Sequence, residues 1–192
     1  KSDILAYAIE NFTKFGSKRF SMDELATNLG ISKKTLYKHF NSKEKLVKES
    51  FQFYLDKVRN DIDVYILQNP NEEQPLTTII YIYKRGLISF QELNPSFLYG
   101  LNKYYPKAYQ IYSQLKKDIV PLLKKAQVLG QVRTNVNIEL VCTLFLSRME
   151  EIVYSKANLF DEYSIHELLD HIIINNLRGI LTLEYLQKSP LQ

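Results

Sequence analysis

Residues 21–46, SMDELATNLGISKKTLYKHFNSKEKL, leave the backbone little choice. Ser21 and Glu24 stand three apart as an S-x-x-E capping box, which satisfies two orphan N–H groups at a helix start. Met22, Leu25, Ala26 and Leu29 give the helix that follows one apolar face. Gly30 can take the left-handed backbone of a tight turn at little cost. Ser32 caps a second short helix that runs to about Phe40. Asn41 or Ser42 then caps a long fourth helix, Lys43 to about Leu67, and Glu44, three after Asn41, points to Asn41 as the cap. Upstream, Leu5, Ala8, Phe12 and Phe15 form an apolar stripe on a first helix from Asp3 to Phe15, stopped by Gly16.

The remainder reads as helix almost throughout. The stretch QNPNEEQP, Gln68 to Pro75, is the clearest break, and Pro75 suits the first position of a fifth helix striped by Leu76, Ile80, Tyr83, Leu87 and Phe90. Asn94-Pro95 opens a short sixth segment, and Pro106 opens a seventh helix that ends at Gly130. Asn135 or Asn137 caps an eighth helix reaching about Phe160, and Ser164 with Glu167 forms a second capping box for a ninth reaching about Leu186. No strand alternation of useful length is present. The expectation is an all-α protein of about nine helices, with a helix-turn-helix domain over residues 1–48 and a helical domain over 49–192. The last two helices carry apolar residues on more than one face, and in so small a chain a partner subunit is the natural cover for the second face. Ile173 or Leu177 is expected at that contact, the alternative for either being the chain's own core.

Charge is unevenly spread: residues 1–60 hold 12 Lys/Arg against 7 Asp/Glu, net +5, and residues 61–192 hold 13 against 14, net −1. A basic head on a near-neutral body suits a polyanion bound at that end. Cys142 is the single cysteine, so no intramolecular disulfide can form, and its apolar surroundings suggest a small core residue. The N-terminus shows no signal peptide, and no apolar run approaches the roughly 20 residues that span a bilayer. A cytoplasmic location is expected.

On the third helix Leu36 and Phe40 are four apart and share its inward face. Lys34 and Lys38 then point outward, flanked by Thr35 and Tyr37, with Lys33 in the first turn, where recognition helices meet base edges. Lysine can donate to guanine O6 and N7, and a Thr methyl can meet the thymine methyl. Tyr and His can hold phosphates. The bland alternative, a solvated basic helix in a plain bundle, is weakened by the Gly30 turn and the capped neighbours.

The stretch LGISKKTLYKHFNSKEKL resembles the signature of TetR-type transcriptional regulators: the Leu-Gly-Ile turn, Thr-Leu-Tyr, His-Phe and Ser-Lys-Glu-Lys-Leu. The resemblance is specific over residues 4–50 and beyond them is architectural only. It implies that Tyr37, His39 and Lys43 grip phosphates of a double-stranded DNA operator, and that Lys33, Lys34 and Thr35 face bases. Met22 falls where many members place a small polar phosphate contact, which Ser21 could supply. It also implies a homodimer held by the eighth and ninth helices, an effector pocket among helices five to eight, and the family's usual role as a repressor.

The sequence holds fourteen Tyr and ten Phe with no Trp, and five of the tyrosines lie in FLYGLNKYYPKAYQIY, Phe97 to Tyr112. Tyr105, Tyr109 and Tyr112 recur along one helix face, and with Tyr83 and Tyr99 they are candidates to line a small-molecule site. Glu92, Glu150 or Glu151 could add a charge for a lipophilic cation. The same stripe can equally be core. HELLDH, His166 to His171, has its histidines five apart, on different sides of a helix, so they do not converge on a metal. No phosphate-binding loop, nucleophile elbow or paired catalytic carboxylates are present, so neither an enzyme nor a bound cofactor is expected. Two further readings compete with a ligand-responsive regulator: an architectural DNA-binding protein without effector, and a helical enzyme with an incidental basic head.

Overall fold

The computed structural model describes residues 1–70, 74–93, 95–106, 116–154 and 159–188, with the backbone alone for Pro95, Ser96, Lys116, Lys117, Glu150, Val153 and Tyr154. These residues are all-α apart from an isolated antiparallel bridge between Val132 and Leu181. The helices are α1 (Ser2–Phe15), α2 (Met22–Asn28), α3 (Lys33–His39), α4 (Lys43–Gln68), α5 (Pro75–Glu92) and α6 (Pro95–Tyr104). They continue as α7 (Lys116–Val128), α8 (Ile138–Tyr154), α9 (Leu159–Glu162), α10 (Ile165–Leu169), α11 (Asn175–Arg178) and α12 (Leu183–Lys188), with a π-helical turn at Asp170–Ile174. Two compact units result: residues 1–60 with the described part of 90–113, and residues 61–89 with the described part of 114–192.

In the first unit α1 buries Ile4, Leu5, Ala8, Ile9 and Phe12, while Phe15 is turned outward and meets Phe20 edge-on at 5.8 Å. Leu46, Val47 and Phe51 of α4 complete this core together with Phe97, Leu98 and Leu101 of α6. Phe97 is wholly buried between Phe12 (ring centroids 6.3 Å apart) and Phe51 (6.1 Å, edge-to-face). The packing of the head therefore reaches well beyond residue 48 and recruits a helix from far along the chain. Tyr105, just past α6, is half-buried; burial raises its hydroxyl pKa, and the Ser17 side chain partly opposes the shift. The cap of α4 is Ser42 rather than Asn41: Lys45 N–H donates to Ser42 Oγ at 3.1 Å and Leu46 N–H to Ser42 C=O at 3.1 Å.

In the second unit Tyr65 stacks on Tyr81 at 3.6 Å, Arg85 meets Asp61 at 2.9 Å, and Tyr83 is buried edge-to-face with Phe145. Asn137 Oδ1 caps α8 by accepting Leu140 N–H at 3.0 Å. Gly130 takes φ 72° and ends α7, with Gln131 N–H returning to Ala126 C=O at 2.9 Å. The capping box of Ser164 and Glu167 forms as expected.

The ninth helix expected to run unbroken to Leu186 instead stops at Gly179. There Arg133 N–H donates to Ile180 C=O at 3.0 Å and Thr182 N–H to Gln131 C=O at 2.9 Å. Glycine is a poor helix interior residue, and these partners satisfy the backbone without a helix. Ile173 and Leu177, expected to face a partner, are fully buried within the unit. The second apolar face is spent mostly on the chain's own core. Among the described apolar residues of α8, Leu140 and Leu144 stay open, 54% and 51% exposed.

Candidate nucleic-acid interface

The turn between α2 and α3 is built as the residues demanded. Gly30 has φ 64°, its N–H donates to Thr27 C=O at 3.0 Å, and Ile31 N–H donates to Ala26 C=O at 3.0 Å. This 6→1 and 5→2 pair is a Schellman ending, which needs a left-handed residue at Gly30. Ser21 Oγ accepts Glu24 N–H at 3.1 Å while Glu24 Oε2 accepts Ser21 N–H at 2.7 Å. The Ser21 N–H, and the Ser21 hydroxyl that also donates to Glu24 Oε2 at 2.8 Å, hold the Glu24 carboxyl below its ordinary range, the backbone bond being the larger cause. Ser32 Oγ accepts Thr35 N–H at 3.0 Å and lies 2.8 Å from the Thr35 hydroxyl.

These caps fix the rotation of α3. Leu36 and Phe40 are fully buried, so Lys33, Lys34, Thr35, Tyr37 and Lys38 all face solvent, Tyr37 being 47% exposed. His39 is half-buried with its ring 6.3 Å from that of Phe40. Lys34 and Lys38 have no acidic partner among the described residues, whereas Lys33 Nζ lies 2.5 Å from Asp23 Oδ2. Lys43, half-buried, donates from Nζ to the Lys18 carbonyl at 3.3 Å. Burial lowers its ammonium pKa, Glu24 opposes that shift, and Lys18 adds to it.

The face holds more cation than the sequence reading assigned. Lys18, Arg19, Phe20, Ser21 and Met22, with Asp23, Glu24, Tyr37 and Lys43, line an open cleft of about 490 Å³. Lys18 and Arg19 were missed; the signal available was a basic pair directly ahead of the capping box. Lys18 Nζ also sits 3.2 Å from the centroid of the Tyr104 ring. Met22 is buried at 6% exposure and belongs to the core, which leaves exposed Ser21 as the polar group at the start of α2.

The candidate small-molecule residues are dispersed. Tyr83 is a core residue of the second unit, while Tyr99, in the first, is 53% exposed and accepts a hydrogen bond from Lys103 at 3.3 Å. Tyr105 is the half-buried residue just past α6. Tyr109, Tyr112 and the Glu150 side chain lie outside the described residues. Glu92 accepts a hydrogen bond from the Tyr54 hydroxyl at 2.7 Å. Within the second unit a cavity of about 440 Å³ is lined by Arg148, Glu151, Ile152, Leu159, His171 and Ile172. A smaller one of about 140 Å³ lies among Ile66, Pro70, Pro75, Thr78, Leu122 and Lys125. Of the described candidates only Glu151 lines either. No cluster that could hold a metal is found among the described residues, and His166 and Asp170 are 3.7 Å apart on an exposed helix face. No helix among the described residues is long and apolar enough to cross a membrane.

A short helix, a left-handed glycine turn and a second short helix with an exposed cationic face define a helix-turn-helix DNA-binding regulator. Residues 4–50 match the family described as bacterial regulatory proteins, tetR family. Over those residues the chain carries a TetR-family DNA-binding domain, which supports a transcriptional regulator of that family. It is similar to the HTH-type transcriptional regulator YvaF of Bacillus subtilis, 24% identical over 166 residues, which cover 84% of this chain and 85% of that one. It is also similar to the nucleoid occlusion factor SlmA of Sodalis glossinidius, 34% identical over 80 residues, covering 42% of this chain and 38% of that one. The fold is shared with the fatty acid degradation regulator FadR from Bacillus halodurans, at TM-score 0.75, 16% identity, 94% of this chain and 100% of that one. The matched family, YvaF and FadR are regulators rather than enzymes.

Proposed function

We propose that the chain is a homodimeric repressor that reads a palindromic operator and is released by a small, largely apolar or aromatic effector. Residues 1–48 serve as the reading head and residues 49–192 as the effector-binding and dimerisation domain. The single observation that carries DNA reading is the α3 surface: Lys34, Thr35, Tyr37 and Lys38 exposed above a buried Leu36 and Phe40. Dimerisation through α8 and the α10–α11 stretch draws on exposed Leu140 and Leu144, in keeping with the family. An effector draws on the family and on the cavities of the second unit. The second reading, an architectural DNA-binding protein without effector, is favoured by Tyr83 being spent on core packing rather than on a cavity wall.

Selection of duplexes from a random pool with the pure protein tests the reading head. A palindromic consensus is expected, with half-sites about one helical turn apart. Lys43→Ala should then weaken every sequence alike and flatten the salt dependence by about one unit of slope. Lys34→Ala or Thr35→Ala should change base preference, costing about 1–3 kcal/mol at the affected base pair. Equal affinity for random and selected duplexes at every salt concentration would refute sequence-specific reading.

Release by an effector is tested by a thermal-shift screen of small apolar molecules, each hit then being titrated into the DNA complex. Linkage requires an effector that weakens DNA binding to bind the DNA-free protein better by the same factor, a coupling of about 1–3 kcal/mol in a useful switch. If every stabilising molecule leaves operator affinity unchanged, the architectural reading takes its place.

A further inference from the structure

We propose that Asp23 is a specificity-determining residue of the reading head: its carboxylate holds the Lys33 ammonium for bases and withholds it from phosphates. The inference rests on the DNA-reading role of α3. Of the two acids that open α2, Glu24 is used by the capping box, accepting from both the N–H and the hydroxyl of Ser21. The Asp23 carboxylate has no part in that cap. It instead reaches ten residues along the chain to Lys33 Nζ at 2.5 Å, across the Gly30 turn. It does so on a cleft wall whose other charged members include Lys18, Arg19 and Lys43. A carboxylate on the face that meets a polyanion opposes unspecific attraction.

Lys33 is also set apart from its neighbours on α3, since Lys34 and Lys38 have no acidic partner among the described residues. Their charge is open to any acceptor, base edge or phosphate alike. The Lys33–Asp23 pair is open to solvent, with side chains 64% and 52% exposed, so it is weak enough to yield to a better acceptor. An ammonium has three donors, and Lys33 can keep Asp23 on one while giving another to guanine O6 or N7. A phosphate in the second position is disfavoured relative to a neutral base edge, because its full charge and that of Asp23 repel. Asp23 thus acts through Lys33 as a positioning residue that lowers unspecific affinity more than specific affinity.

The test measures Asp23→Asn, Lys33→Met and the double variant on one selected duplex and one random duplex over a series of salt concentrations. Asp23→Ser is run beside Asp23→Asn as a second short polar residue for the first turn of α2, and unchanged melting confirms a folded head. Asp23→Asn should tighten the random duplex about tenfold at low salt and steepen its salt dependence by about one unit. The selected duplex should gain less, so the ratio between the two falls several-fold. In the Lys33→Met background the same change should leave the ratio and the slope where they were. An equal gain on both duplexes, or the same fall in ratio without Lys33, overturns the proposal. If the unaltered protein shows no preference between duplexes, sequence-specific reading itself fails. The random-duplex arm then still decides whether Asp23 withholds Lys33 from phosphates.

Discussion

Phe97→Ala is expected to destabilise the first unit by about 3–5 kcal/mol, the range for removing a buried phenyl ring and leaving a cavity. Phe97 is on α6, far along the chain from the reading head, yet it is fully buried with Phe12 of α1 on one side and Phe51 of α4 on the other. Those two helices frame α2 and α3, so the loss should appear as lost DNA binding although Phe97 has no place on the DNA face. Urea unfolding followed by circular dichroism, with DNA titration at the same temperature, measures both. Tyr99→Ala is the control: Tyr99 lies two residues on but is 53% exposed, so its loss should change stability by well under 1 kcal/mol. Equal midpoints for Phe97→Ala and the unaltered protein would show that α6 is no part of the head's core.

Leu144→Glu is expected to separate the proposed dimer into monomers. Leu140 and Leu144 are four apart on α8 and both more than half exposed, so they form one apolar strip that a two-fold partner could cover with the same strip of its own. Glu at position 144 stands four before Arg148, a spacing that supports the helix, so the change should act on association rather than on folding. Operator affinity should fall by about 10²–10⁴, because the second head no longer binds as part of the same molecule. Sedimentation at micromolar concentration gives the mass, and DNA titration gives the loss. Ile173→Glu should behave differently: Ile173 is fully buried, so that variant should unfold the second unit rather than split a dimer. A Leu144→Glu protein that remains dimeric would remove this strip of α8 from the interface.

The reading head was legible because its rules are local. A capping box spans four residues, the Gly30 turn joins its neighbours, and Leu36 with Phe40 sets the rotation of α3, so the exposure of Lys34, Thr35, Tyr37 and Lys38 followed from spacing alone. Each of these signals is completed by backbone bonds within about one turn of helix. The all-α class followed for the same reason, from periodicity and caps repeated along the chain.

What needed the tertiary structure was every choice between partners distant in sequence. Periodicity marked α8 and the α10–α11 stretch as apolar on more than one side, but which side meets the chain's own core depends on how the second unit packs. That packing buries Ile173 and Leu177 and leaves Leu140 and Leu144 outside. Gly179 ends its helix because residues 131–133 stand ready to pair with residues 180–182, a contact invisible to local pattern. Met22 is a core residue, Lys33 is claimed by Asp23, and Lys43 is bonded to the Lys18 carbonyl, each through a bond or burial formed across a turn or between helices. Phe97 joins the head for the same reason: burying an aromatic ring is favourable wherever a matching space exists, and sequence distance does not enter that free energy once the chain has folded.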